Sequence, residues 1–403
     1  MQNPFFLFNK KELCVALFFF AVSLERYKFL ASGIKTVHIF YLLVVLLYPL
    51  SKINAIKFNL LEAITLMLYF FSLWFSLLVS TNISKSFLWS IHLSLILSVP
   101  FLLGNLFRPT LHEIIKGTCI GAVPAACIGI FQIIYYIIYP EAMGYNKFPR
   151  IYGSAYESGN YAHILFFGCI PLLLCFFNLY KKEGKGNKLI LGFSILNTTM
   201  LILSTGRTGW LCFFTFIFLC ATYQPSIKKI KTFLSFLTFL FVFPLVNSSF
   251  RELFLDYFNR NLSDDPRIEG MKIGWQIAMN NPFFGVGLGG FGAAVKKDAP
   301  IYWNTIRDTL IESKKATLEW ELTPFNSLIE HIDNFGFFGL SWLILGYICL
   351  LRSCRNSDKI IYLFILLSGI AGTFPNQSLF RSYVVFIPLL YYGSMVRNRS
   401  IPA

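Results

Sequence analysis

Apolar residues fill long runs separated by short polar connections, and the longest of the runs reach the length a helix needs to cross a bilayer. The pattern predicts spans at about 12–24, 37–51, 60–80, 87–106, 114–138, 159–180, 189–204, 209–223, 232–247, 334–351, 360–375 and 380–395. Between the ninth and the tenth the pattern changes. Residues 248–325 are polar and carry both signs of charge, as a folded subdomain outside the bilayer would. Inside that stretch Asp264-Asp265-Pro266 predicts a helix start, and Asn280-Asn281-Pro282 predicts its stop. Ile268, Met271, Ile273, Trp275 and Ile277 supply apolar contacts between them.

Composition agrees with this pattern: 56% of residues are hydrophobic and 14% charged, whereas a soluble domain carries about 25% charged residues. The net charge of +15 does not point to nucleic acid, because the basic residues cluster in short loops where they act as topology signals. Lys181, Lys182, Lys185 and Lys188 form one such loop, and Lys228, Lys229 and Lys231 another. Arg352, Arg355 and Lys359, then Arg397 and Arg399, complete the set. With alternating spans all four fall on one side, the cytoplasm, and the connection with Arg26, Lys28 and Lys35 disagrees. Nine cysteines lie in or beside apolar runs, with neither a disulfide framework nor a CxxC metal site, and Glu12–Leu24 reads as a retained first helix. The expected fold is an all-α polytopic membrane protein of about twelve transmembrane helices with one large, partly helical periplasmic loop. Residues 1–247 hold helices 1–9, residues 248–325 the loop, and residues 326–403 helices 10–12 with a cytoplasmic C-terminus.

The glycine run Gly285-Val286-Gly287-Leu288-Gly289-Gly290 lacks both the Lys-Ser/Thr of a phosphate loop and a βαβ setting. On its own it reads as a tight turn that lets backbone pack on the membrane surface. Four blocks together carry more. They are Arg150 through Ala162, Ser204-Thr205-Gly206-Arg207-Thr208-Gly209-Trp210, Arg267 through Phe291, and Phe325-Asn326-Ser327-Leu328-Ile329-Glu330-His331-Ile332-Asp333-Asn334-Phe335-Gly336-Phe337-Phe338-Gly339. In order and spacing they resemble the O-antigen ligase and polymerase superfamily, the Wzy and WaaL type. One position departs from the pattern: the family commonly has His-Asn where this chain has Phe325-Asn326. That departure favours a polymerase over a ligase.

What the resemblance implies is a metal-independent glycosyltransferase, without cofactor, in the bacterial inner membrane. It would polymerise polyprenyl-pyrophosphate-linked oligosaccharide repeat units into O-antigen or a related surface polysaccharide on the periplasmic face. Its partners would be a lipid-linked glycan donor and acceptor, the lipid bilayer and a chain-length-regulating membrane protein, and no nucleic acid. Two other functions stay open: a ligase moving the glycan to lipid A core or protein, and, from another class, a multi-span transporter or flippase. Transporters usually carry internal repeats, and none is visible.

Arginine suits the leaving pyrophosphate, since its permanent charge and forked donors match phosphate oxygens. The catalytic candidates are therefore Arg207, at the turn of a helical hairpin, and Arg267, at a helix start where backbone N–H groups also attract anions. Their plainer roles are snorkelling to lipid headgroups for Arg207 and an ion pair with Asp264 or Glu269 for Arg267. For the acceptor hydroxyl, Asn326 and Glu330 are the catalytic candidates among polar groups that also include Glu157, His331 and Asp333. Arg150, Glu157, Gly285, Gly287 and Phe325 are the substrate-binding candidates, with Phe325 either beneath a sugar ring or covering the start of the following helix. The other histidines, His38, His92, His112 and His163, lack metal-ligand spacing.

Overall fold

In a computed structural model the chain is described at residues 8–24, 60–80, 82–143, 158–179, 185–204, 206–223, 266–304, 326–353, 356–373 and 382–398, together with 151, 231, 234, 235 and 238. Among these residues the regular structure is helical throughout. The α-helices are α1 (Lys10–Ser23), α2 (Leu60–Val79), α3 (Ile83–Phe107), α4 (Leu111–Ile138), α5 (Ser158–Phe176), α6 (Lys185–Leu203) and α7 (Arg207–Thr222). They continue with α8 (Pro266–Asn280), α9 (Phe291–Asp298), α10 (Ser327–Ser353), α11 (Asn356–Thr373) and α12 (Ser382–Asn398), and a 3-10 turn at Pro140–Met143 follows α4.

Five helices are long and apolar enough to cross a membrane: Leu60–Val79, Ser86–Phe107, Leu111–Ile138, Gly159–Phe176 and Ser327–Cys349. Asn187–Leu203, Thr208–Thr222 and Val384–Met395 are shorter apolar helices. This is a multi-pass membrane protein. The expected span 37–51 lies outside the described residues, as do Arg26, Lys28 and Lys35 and all but three residues of span 232–247. The other ten expected spans fall on helices, with one notable shift. The tenth helix begins at Ser327, seven residues before the expected start at 334, and is broken at Gly336.

Burial places α5 at the centre, since 78% of its apolar window lies inside the protein against 28% for α4. Around it pack α4, α6 and α7, and α11 covers α7. A second group joins α3 to α12 and α2 to α10. Small residues set these distances, as they do generally between helices in lipid. A side chain at Gly104 of α3 would land on the Leu390 carbonyl of α12, and one at Gly393 of α12 on the Phe101 carbonyl of α3.

Hydrogen bonds and ion pairs sort the helix ends into two groups. At one end Lys116 of α4 pairs with the buried Glu12 of α1 at 3.4 Å, and Lys11 Nζ donates to the Arg108 carbonyl at 3.0 Å. There too Ser394 near the end of α12 donates to the Pro109 carbonyl at 2.8 Å, and Tyr391 donates to Asp358 at 2.6 Å. The opposite end gathers the starts of α5, α7 and α10, the end of α11 and the α2–α3 hairpin. That is where the candidate residues collect.

Candidate active site

The site is built on the break in α10. Gly336 has φ 66° and ψ −174°, which no helix contains, and the interruption leaves carbonyls of the first half and N–H groups of the second without helical partners. The glycine run supplies them. Val286 N donates to the Asp333 carbonyl at 2.6 Å, Phe337 N donates to the Pro282 carbonyl at 2.7 Å, and Phe338 N donates to the Phe283 carbonyl at 3.3 Å. Gly289 N donates to Asn334 Oδ1 at 3.1 Å, while Ser86 at the start of α3 donates to the Leu288 carbonyl at 2.5 Å. An irregular segment of some eight residues is thus threaded between α2, α3 and α10 and held by these backbone hydrogen bonds.

Glycine is required there for two reasons. Gly285, Gly287 and Gly289 have φ of 69°, 82° and 72°, the left-handed region that side chains disfavour. Space is also lacking: a Cβ at Gly285 would meet the Asp333 carbonyl, and one at Gly287 would sit 2.6 Å from the Ser76 carbonyl. The chain forms a tight turn at Gly285 and Gly287 as expected, but the turn packs against helices α2 and α10 rather than on the membrane surface.

At the start of α10, Asn326 is the N-cap: its Oδ1 accepts from Leu328 N at 3.0 Å and Ile329 N at 3.1 Å. That leaves its Nδ2 group as the part of the side chain able to donate to a ligand. Asn326, Glu330 and Asp333 follow one another at four and three residues, hence on one face of the half-helix. Asn326 and Glu330 are half-buried, and Asp333 is wholly buried. Among the described residues neither oxygen of Asp333 has a hydrogen-bond partner. A carboxyl in such a position inside a membrane bundle is costly, and cost of this kind usually marks function. His331 points elsewhere: it stacks on Tyr69, with centroids 6.2 Å apart and planes 7° apart, and packs against Phe335 at 4.9 Å.

Ser327 Oγ lies 3.4 Å from Thr373 Oγ1 at the end of α11. Gly372 beside it faces the Thr208 carbonyl, to which an added Cβ would come within 3.0 Å, and Thr208 Oγ1 donates to the Gly159 carbonyl at 2.6 Å. This chain of contacts brings the start of α7, which is Arg207, to the same end as Asn326 and the first turn of α5. Arg267 is the second residue of α8, which packs on α10. Arg150, Glu157 and Phe325 lie outside the described residues. Among the described residues no group of three His, Cys, Asp or Glu side chains is placed to hold a metal ion.

Sequence reasoning missed the break at Gly336 and the roles of Asn334 and Ser86. One signal was there to find: Phe-Phe-Gly occurs at Phe283-Phe284-Gly285 and again at Phe337-Phe338-Gly339, and these are the two segments that pair.

A family model described as O-antigen ligase matches residues 192–344, from within α6 to within α10. Over those residues the chain is similar to the O-antigen polymerase and ligase superfamily, and the match supports the resemblance read from the four sequence blocks. No curated protein matches it. The superfamily match takes in Arg207, α8, the glycine turn, Asn326, Glu330, Asp333 and Gly336, while Arg150 and Glu157 precede it. It takes in the starts of α7 and α10 at the site end but not the start of α5, the end of α11 or the α2–α3 hairpin, and it supports a role in O-antigen or polysaccharide assembly.

Proposed function

We propose that the protein polymerises polyprenyl-pyrophosphate-linked oligosaccharide repeat units, working at the periplasmic face of the inner membrane. The observation that carries this reading is the convergence of Arg207, Asn326, Glu330 and the glycine turn at one end of the helices, within the superfamily match. In the step proposed, the acceptor hydroxyl oxygen bonds to the anomeric carbon of the donor glycan as that carbon's bond to the pyrophosphate breaks. The hydroxyl proton passes to the Glu330 carboxylate, with Asn326 Nδ2 donating to a sugar oxygen. Arg207 and Arg267 meet the charge that develops on the departing polyprenyl pyrophosphate. The charge of the short loops supports the side of the membrane. One observation favours a second reading, ligation to lipid A core or protein, because the matching family is described by that activity; Phe325, in place of the histidine expected of a ligase, weighs against it.

The test incubates purified protein with a short synthetic polyprenyl-pyrophosphate repeat unit and resolves products on a gel. A ladder of lengthened glycans is expected. Arg207→Ala and Arg267→Ala should each abolish it without loss of folded protein, and Lys at either position should restore it only in part, because Lys keeps charge without the fork. Transfer to lipid A core with no chain extension would replace the polymerase reading by the ligase one. Full activity in an Ala variant would remove that arginine from the site.

A further inference from the structure

The exposed side of α8 changes character along its length. Its first half presents Glu269 and Lys272, its second half Trp275 and Met279, with Gln276 and Asn280 on one flank. Trp275 is 48% exposed and Met279 40%, and Phe283, in the turn just beyond, is 76% exposed. Lys272, Trp275, Gln276 and Met279 are spaced at three and four residues, so they share a face. The opposite face, with Ile273, Ile277 and Ala278, is buried. A helix lying in water has no reason to grade from charge to indole to phenyl along its open face; one that crosses obliquely from the headgroups into the acyl chains does.

Two further features fix the direction. Phe284, next to Phe283, packs on Phe75 of α2 with centroids 4.6 Å apart and on Phe338 of α10 at 5.6 Å. Both helices are membrane spans, and their neighbouring Phe71 and Phe337 are exposed, so the open face of α8 continues into their lipid-facing surfaces. The level of the turn agrees: Gly287 meets the Ser76 carbonyl in the last turn of the span Leu60–Val79, and Gly336, against which the turn is docked, lies nine residues along α10 from Ser327. At that level irregular backbone survives only where protein satisfies its polar groups. The paired N–H and carbonyl groups of the glycine turn meet that condition.

We infer that α8 is inserted obliquely in the leaflet on the site's side of the membrane, its C-terminal end deepest, with Phe283 and Met279 among lipid acyl chains. Trp275 then sits at the headgroup boundary and Lys272 among lipid phosphates. The shallow N-terminal end carries Arg267 at headgroup level, where the pyrophosphate of a membrane-held donor lies; that last clause rests on the proposed function, whereas the insertion does not.

The test places a nitroxide on a genetically encoded ketone-bearing residue at positions 272, 276, 279 and 283 in turn, leaving the nine native cysteines in place. The full chain is reconstituted in phosphatidylglycerol–phosphatidylethanolamine vesicles. Collision with oxygen, which concentrates among acyl chains, is compared with collision with a water-soluble nickel chelate. The oxygen-to-nickel ratio should climb severalfold from 272 to 283, with 276 and 279 between. Equal ratios at 272 and 283 overturn the inference, and so do low collision rates with both probes at 279 and 283, which would mean that protein covers them. The readout is independent of turnover, so failure of the polymerase reading leaves it standing and its own failure leaves polymerisation untouched.

Discussion

Asn326 holds two roles that a single alanine substitution cannot separate. Its Oδ1 caps α10, and losing a cap costs about 0.5–2 kcal/mol of stability; its Nδ2 is the group proposed to touch substrate. Asn326→Asp separates them, because the carboxylate still accepts from Leu328 N and Ile329 N and suits a helix N-terminus, while the donor is gone. We expect Asn326→Asp to fold normally and to lose more than about tenfold in polymer formation, equivalent to about 1.4 kcal/mol of transition-state stabilisation. Glu330→Gln should lose as much, because the amide keeps the shape and cannot take the proton. Wild-type rates in both would leave Asn326 a cap only and the proton acceptor elsewhere, with Asp333 next in line. Phe325→Leu should retain substantial activity, since neither side chain exchanges protons or hydrogen bonds. The polar stripe from Asn326 to Asp333 was visible in the sequence as candidate residues. What the sequence did not show was the burial of Asp333, because that depends on which helix covers the half-helix, a tertiary fact with no local pattern.

At the scale of elements, the start and stop of α8 at Pro266 and Asn280 were legible from Asp264-Asp265-Pro266 and Asn280-Asn281-Pro282, since caps and proline act within a few residues. The start of α10 was legible only in part: Phe325 reads as covering the start of the following helix, whereas the apolar run places the span at 334, because a half-polar first turn looks like loop when apolar runs are the guide. The break at Gly336 was hidden for a related reason, because a glycine inside an apolar run signals nothing until a second segment docks there. Gly285→Ala tests that docking. It puts a side chain at φ 69° and against the Asp333 carbonyl, so it should cost more than the roughly 1–2 kcal/mol of left-handed strain alone. Gly346→Ala in the same α10 is the control, because its Cβ would meet only Thr65 Cγ2 at 3.9 Å, and it should be neutral or stabilising by about 0.4–1 kcal/mol. Thermal unfolding of the two variants in matched detergent reads the difference. Equal melting temperatures would mean that the turn is not held in the pose described.

For the whole molecule, the sorting of helix ends among the described residues follows the alternation predicted from short basic loops where those loops are described, at Lys188 and at Arg352 and Lys359. Lys228 and Lys229 lie outside the described residues. Lys116 and Lys11 sit with Glu12 and Arg108 at the end opposite the site. Antiparallel packing sends Lys188 near the start of α6, Arg352 near the end of α10 and Lys359 near the start of α11 to that end as well. The site end instead carries the starts of α5, α7 and α10 and the strip of α8. Since the positive-inside rule acts on short loops near span ends, the basic end should face the cytoplasm and the site the periplasm. Thiol labelling decides it in cells whose outer envelope has been permeabilised, with a membrane-impermeant maleimide and the native chain as background. Lys297→Cys, on the exposed side of α9, should react, and Lys188→Cys, exposed at the start of α6, should react only after the inner membrane is opened. The reverse pattern would put the glycine turn and Asn326 on the cytoplasmic side. A polymerase would then meet its lipid-linked repeat unit before export, and the same bundle would have to be reread as acting on the inner leaflet.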